Sequence, residues 1–70
     1  MQRQLVVSSN VRSIGHNPLT QVLEVEFLDR SIYIYSGVPS SVYSGLMAAA
    51  SKGSYLSQKV EGTYPYRKIR

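Results

Sequence analysis

The chain has no cysteine and no tryptophan, a single histidine, only four acids and no long apolar run. Each absence removes a class of function. Without cysteine there is no disulfide framework, no thiolate metal site and no nucleophilic thiol. One histidine, His16, and four scattered acids offer no ligand cluster for zinc or calcium, and no cofactor is expected. The same scarcity weighs against catalysis, because a nucleophile needs a base beside it. His16 and Asp29 fall in or beside turns, and no serine has a nucleophile-elbow context. Lys52 and Gly53 lack the flanking glycines and spacing of a phosphate-binding loop. The apolar triplet at 5–7 is far shorter than the roughly 20 residues of a membrane span or the about 7–15 of a signal-peptide core. A cytoplasmic location without a membrane partner is the expectation.

What remains is enough sequence for one domain of 70 residues. A core of this size removes only about 60% of the unfolded chain's surface from water, so oligomerisation is the remaining way to add stability. The formal charge of +4 is compatible with an anionic partner and equally with plain solubility.

From Asn10 to Val38 the hydropathy pattern has period two. Leu23, Val25 and Phe27 share one strand face, and Glu24 and Glu26 lie on the other, read as solvent-facing. Asp29 and Arg30 are polar and mark a tight hairpin, although the glycine expected there is missing. The β-branched and aromatic residues 31–36 form the returning strand. Residues 11–16 make a first strand, closed by the turn-forming Asn17 and Pro18. Pro39 ends the sheet, and Ser40 is placed to cap a helix from 41 to about 50 with Val42 and Leu46 on its apolar stripe. Ser51 caps a second, short helical turn through Val60, and Gly62 stops it. Tyr64, held before Pro65, must be extended. The sum is an α+β domain: a three-stranded antiparallel meander packed against one helix plus a short second helical turn, with an extended C-terminal arm. Residues 1–9 form a flexible or extended N-terminal arm, and 10–70 the domain itself.

Cations and rings gather in the last third. Lys52, Lys59, Arg67, Lys68 and Arg70 face a single acid there, Glu61. Charge for a phosphate and a flat face for a base are what a nucleic-acid-type ligand needs. The candidate binding residues are therefore Arg12, Lys52, Tyr55, Lys59, Tyr64, Tyr66, Arg67 and Lys68, expected to converge on one surface. Tyr64 and Tyr66 serve equally well to tie the arm to the body. Tyr33 and Tyr35, two apart, share a sheet face; they suit base stacking, or packing under the helix against Leu23, Val25 and Phe27.

The ordered series of these residues resembles the KTSC domain, found at the C-terminus of some lysyl-tRNA synthetases and alone in bacterial and phage proteins. Its carriers are Ser8 to Gly15, the strand at 23–27, Tyr33-Ile-Tyr35 with Ser36-Gly-Val-Pro39, Val42-Tyr43 with Leu46-Met47, Ser51 to Tyr55 and Tyr64 to Arg67. Two positions depart from the family pattern: His16 stands where a tyrosine is usual, and Arg30 where the turn glycine is usual. The resemblance implies a stand-alone KTSC chain of a bacterium or phage, and its synthetase context suggests RNA or tRNA. Three functions follow as expectations. One is a non-enzymatic module for an anionic, nucleic-acid-type ligand. The second is a homo-oligomer that sequesters a small nucleotide, and the third a protein-interaction adaptor.

Overall fold

In the computed structural model, which describes residues 2–70, one antiparallel sheet carries a helical layer on one face. Its strands are β1 (Gln4–Leu5), β2 (Val11–Asn17), β3 (Val22–Phe27), β4 (Ile32–Tyr35) and β5 (Tyr66–Lys68), ordered along the sheet as in the sequence. The α+β class and the central three-strand meander agree with the sequence reading, but the sheet has five strands. The N-terminal segment supplies β1, where Gln4 pairs with Ile14 and Leu5 with Ser13. The C-terminal arm supplies β5, which pairs with β4.

Between Val11 and Ser13 the register shifts, because Arg12 is an extra residue opposite Phe27 and Glu26. A bulge of this kind lets residues two apart point to opposite faces. Val11 therefore joins the core with Ile14, Leu23, Val25 and Tyr35, while Ser13 pairs with Glu26 on the far face.

The β3–β4 hairpin closes with the Arg30 amide donating to the Phe27 carbonyl at 2.9 Å and the Phe27 amide donating to the Ser31 carbonyl at 2.9 Å. That pattern is a type I turn followed by a left-handed residue, and Arg30 occupies the left-handed position with φ 74°. The turn forms without its usual glycine because the Asp29 carboxylate accepts from the Ser31 amide and hydroxyl at 3.0 and 2.6 Å.

Helix α1 (Ser40–Ala48) starts one residue earlier and stops sooner than expected. Pro39, not Ser40, holds the N-cap position, and no side chain caps it. At the other end the Lys52 ammonium donates to the carbonyls of Met47 and Ala49 at 3.0 and 2.7 Å, satisfying backbone that would otherwise lack a partner. Helix α2 (Lys52–Tyr55) begins at Ser51, whose hydroxyl accepts from the Ser54 amide, as read from the sequence. It continues as a π-helical turn over Leu56–Val60, with Glu61 donating to the Leu56 carbonyl at 2.8 Å. Leu56 and Val60 both enter the core with Val38 and Leu46, and Gly62 reverses the chain at φ 78°.

Candidate functional site

Strand pairing sorts the rings onto the helix-bearing face. Leu23 pairs with Tyr35 and Val25 with Tyr33, and Tyr35 in turn pairs with Tyr66, so these residues share one side of the sheet. The helices cover only part of that side. Beyond their edge lies a cleft of about 610 Å³, lined by Phe27, Tyr33, Tyr35 and Tyr66, with Asn10, Asp29 and Glu61 among its polar residues. The Asn10 carbonyl accepts from the Leu28 amide at 2.9 Å, fixing the loop before β2 as one wall.

The four rings form an unbroken path. Phe27 meets Tyr33 edge to face at 5.6 Å between centroids; Tyr33 lies 5.8 Å from Tyr66, and Tyr66 lies 6.0 Å from Tyr35. Tyr66 is 64% exposed, whereas Tyr35 is buried and forms part of the floor. Burial, followed by the negative charge of Glu61, pushes the Tyr35 phenol up to about 12, so it stays a proton-bearing donor at neutral pH. Hydrogen bonds from Ser31 hold the Asp29 carboxyl below its ordinary range.

The opposite face carries a different device. Glu26, expected to face solvent, is 1% exposed. Its Oε1 accepts from the Ser13 hydroxyl at 2.9 Å and from Arg12 at 3.0 Å, and its Oε2 accepts from Arg70 at 3.1 Å. Arg3 lies 3.7 Å from Oε1 and is paired with Glu24. The alternation of β3 identifies the face that carries the two glutamates, but not the arginines that cover it. Those come from the residue before β1, the bulge of β2 and the second residue after β5. The Ser13 hydrogen bond, opposed by burial and reinforced by Arg12 and Arg3, holds the Glu26 carboxyl below its ordinary value.

The expected binding residues do not converge on one surface. Arg12 is engaged on the far face by Glu26, and Arg67 points to that face through its pairing with Ile34. Lys52 is tied to the end of α1. Tyr55, half-buried, packs over Gly45, where a Cβ would strike its hydroxyl, and Tyr64, also half-buried, packs against the core; neither lines the cleft. Lys59 is exposed on the π-helical turn. Tyr66 and Lys68 remain on the cleft side, since they pair with Tyr35 and Tyr33. Phe27, Asn10 and Glu61 are cleft residues that sequence reasoning did not select. Only the period-two pairing of Phe27 with the tyrosine face hinted at one of them. His16 serves structure: its Nε2 lies 2.7 Å from the Val38 carbonyl, and its ring stacks on Tyr43 at 5.0 Å.

The family model of the KTSC domain matches residues 7–64. An uncharacterized protein of Stutzerimonas stutzeri (strain A1501) is 41% identical over 58 residues, covering 83% of this chain and 82% of that protein. A lysine–tRNA ligase of Nostoc sp. (strain PCC 7120) is 36% identical over 61 residues, which is 87% of this chain but 11% of the ligase. The crystal structure of a KTSC domain protein from Yersinia pestis superposes with a TM-score of 0.94 at 39% identity, covering 99% of this chain and 97% of that one.

Proposed function

The chain belongs to the KTSC domain family, and from that premise we propose that it is a non-enzymatic binding module for a single-stranded, RNA-type ligand, stacking one base in the aromatic cleft. The observation that carries this reading is the ring path Phe27–Tyr33–Tyr66–Tyr35, which opens beside a border strand bearing cations. Tyr66 offers an accessible face to a base, and base–aromatic stacking contributes about 1–3 kcal/mol per base. Lys68 lies on the cleft side of β5 and Arg67 on the far side, so a phosphate chain leaving the cleft meets charge as it crosses the border. The cations thus act from the sheet edge rather than from one common patch. A relative that includes a lysine–tRNA ligase lends support to RNA as the ligand class.

The cleft volume, about 610 Å³, is also that of a small-molecule site, which favours a free nucleotide as the second reading. Titration of single-stranded RNA at two ionic strengths tests the first. Binding is expected to weaken with salt, with a log–log slope of about −0.7 per phosphate contacted, and Tyr66→Ala is expected to weaken it about tenfold or more. Absence of binding at low salt overturns the RNA reading, and a thermal shift with mononucleotides alone favours the second.

A further inference from the structure

The cleft's polar groups are unusual for a site that takes an anionic ligand, because among the described residues the charged ones lining it are carboxylates, Asp29 and Glu61, with no lysine or arginine. A carboxylate repels phosphate, so its place is against the base. Asp29 cannot offer both oxygens freely, because its Oδ1 already accepts from the amide and the hydroxyl of Ser31. Glu61 is not: the ion pairs among the described residues all fall on Glu24 and Glu26. Its backbone is fixed by the π-helical turn through the bond to Leu56, so its carboxylate is presented from an ordered segment.

A carboxylate accepts hydrogen bonds and donates none, and its two oxygens match two adjacent N–H donors. Among the four common bases only guanine presents such a pair, at N1–H and the 2-amino group. Adenine and cytosine set a donor beside an acceptor, and uracil flanks its one N–H with two carbonyls. Guanine also carries a carbonyl, O6, next to N1. The Tyr35 hydroxyl, a donor in the same cleft and near enough to Glu61 to feel its charge, suits that acceptor. Resting on the stacking reading above, we infer that the cleft selects a guanine-type ring, with Glu61 accepting from its N1–H and 2-amino edge and Tyr66 stacking on its face.

The test compares guanosine, adenosine, cytidine and uridine 5′-monophosphates by NMR titration of the wild type, Glu61→Gln and Tyr66→Ala. Guanosine monophosphate is expected to bind the wild type about tenfold more tightly than uridine monophosphate, the size of discrimination one bidentate base contact gives. Glu61→Gln is expected to erase that preference by weakening guanosine monophosphate relative to uridine monophosphate, whose binding holds or tightens as a charge that repels phosphate is removed, and Tyr66→Ala to weaken all four nucleotides. Glu61 is exposed, so its melting temperature should match the wild type and exclude misfolding as the cause. Equal binding of the four nucleotides overturns base selection and leaves the stacking reading standing. No binding by any nucleotide or by a guanine-containing oligonucleotide overturns both. Preference for arginine amide over every nucleotide also overturns both, because it marks the rings and carboxylates as a cage for cations.

Discussion

Arg70 donates from Nη2 to the Glu26 Oε2 at 3.1 Å, joining residues 44 apart in sequence across the face of the sheet that carries no helix. With Arg3 and Arg12 on the other oxygen, one buried carboxylate gathers the segment leading into β1, the bulge of β2 and the segment after β5.

Acid should loosen this junction. The folded-state Glu26 carboxyl is held below its ordinary 4.5, first by Ser13 and then by Arg12 and Arg3. Its contribution is thus fully present above about pH 4.5 and is lost as pH falls through the lower folded value. Thermal melts from about pH 6 to pH 3 are expected to show a falling melting temperature below pH 4.5 in the wild type. Glu26→Gln should be less stable at neutral pH and should flatten that slope. The slope it retains belongs to Asp29, whose carboxyl is held below 3.8 by Ser31. An unchanged pH profile in Glu26→Gln would refute the assignment.

Arg30→Gly should stabilise the protein. A non-glycine residue at φ 74° bears a left-handed penalty of about 1–2 kcal/mol, of which glycine gives back about 0.5–1 in unfolded-chain entropy. The net gain expected is about 0.5–1 kcal/mol, read as a higher urea midpoint at constant slope. The Arg30 carbonyl that accepts from Arg70 Nε at 3.2 Å is backbone and survives the change.

Gly45→Ala should destabilise, although alanine favours a helix by about 1 kcal/mol over glycine. The new Cβ would strike the Tyr55 hydroxyl and lie 3.0 Å from the ring carbon that bears it. Overpacking of this kind costs about 1–3 kcal/mol. In a Tyr55→Phe background much of that cost should vanish, and a double-mutant cycle by denaturant unfolding measures the difference.

Lys52 and Lys68 should separate stability from binding. Lys52→Met removes two hydrogen bonds to the end of α1 and is expected to cost about 1–2 kcal/mol while leaving RNA affinity unchanged. Lys68→Met should leave the melting temperature unchanged and lower the salt slope of RNA binding by about 0.7.

Much of the fold was legible because β2, β3 and β4 alternate. The pairing of Leu23 with Tyr35 and Val25 with Tyr33 follows from placing the apolar positions of β3 and the tyrosines of β4 on one side of a hairpin. Ser51 and Gly62 mark the bounds of the second helical segment by their own chemistry. β1 was not legible, since its two residues carry no period, and its pairing depends on Ile14 and Ser13 far along the chain. Glu26 read as exposed because alternation shows which side a residue occupies and not what covers that side. The split of the C-terminal cations was within reach: once residues 66–68 are a strand, Arg67 must oppose its two neighbours. The engagement of Lys52 was not, because a lysine that completes a helix end has no distinguishing neighbour in the sequence.

The two outermost strands are short, two residues at one margin and three at the other, and the longer one bears Arg67 and Lys68. Such margins leave few unpaired amides on which a copy of the chain could zip, and the β5 margin also confronts any incoming ribbon with positive charge. Ile32 and Ile34, which would otherwise border the sheet, lie instead one strand in from that margin. On the proposed reading, a polyanion is the extended guest for which the same margin is a track instead of a barrier.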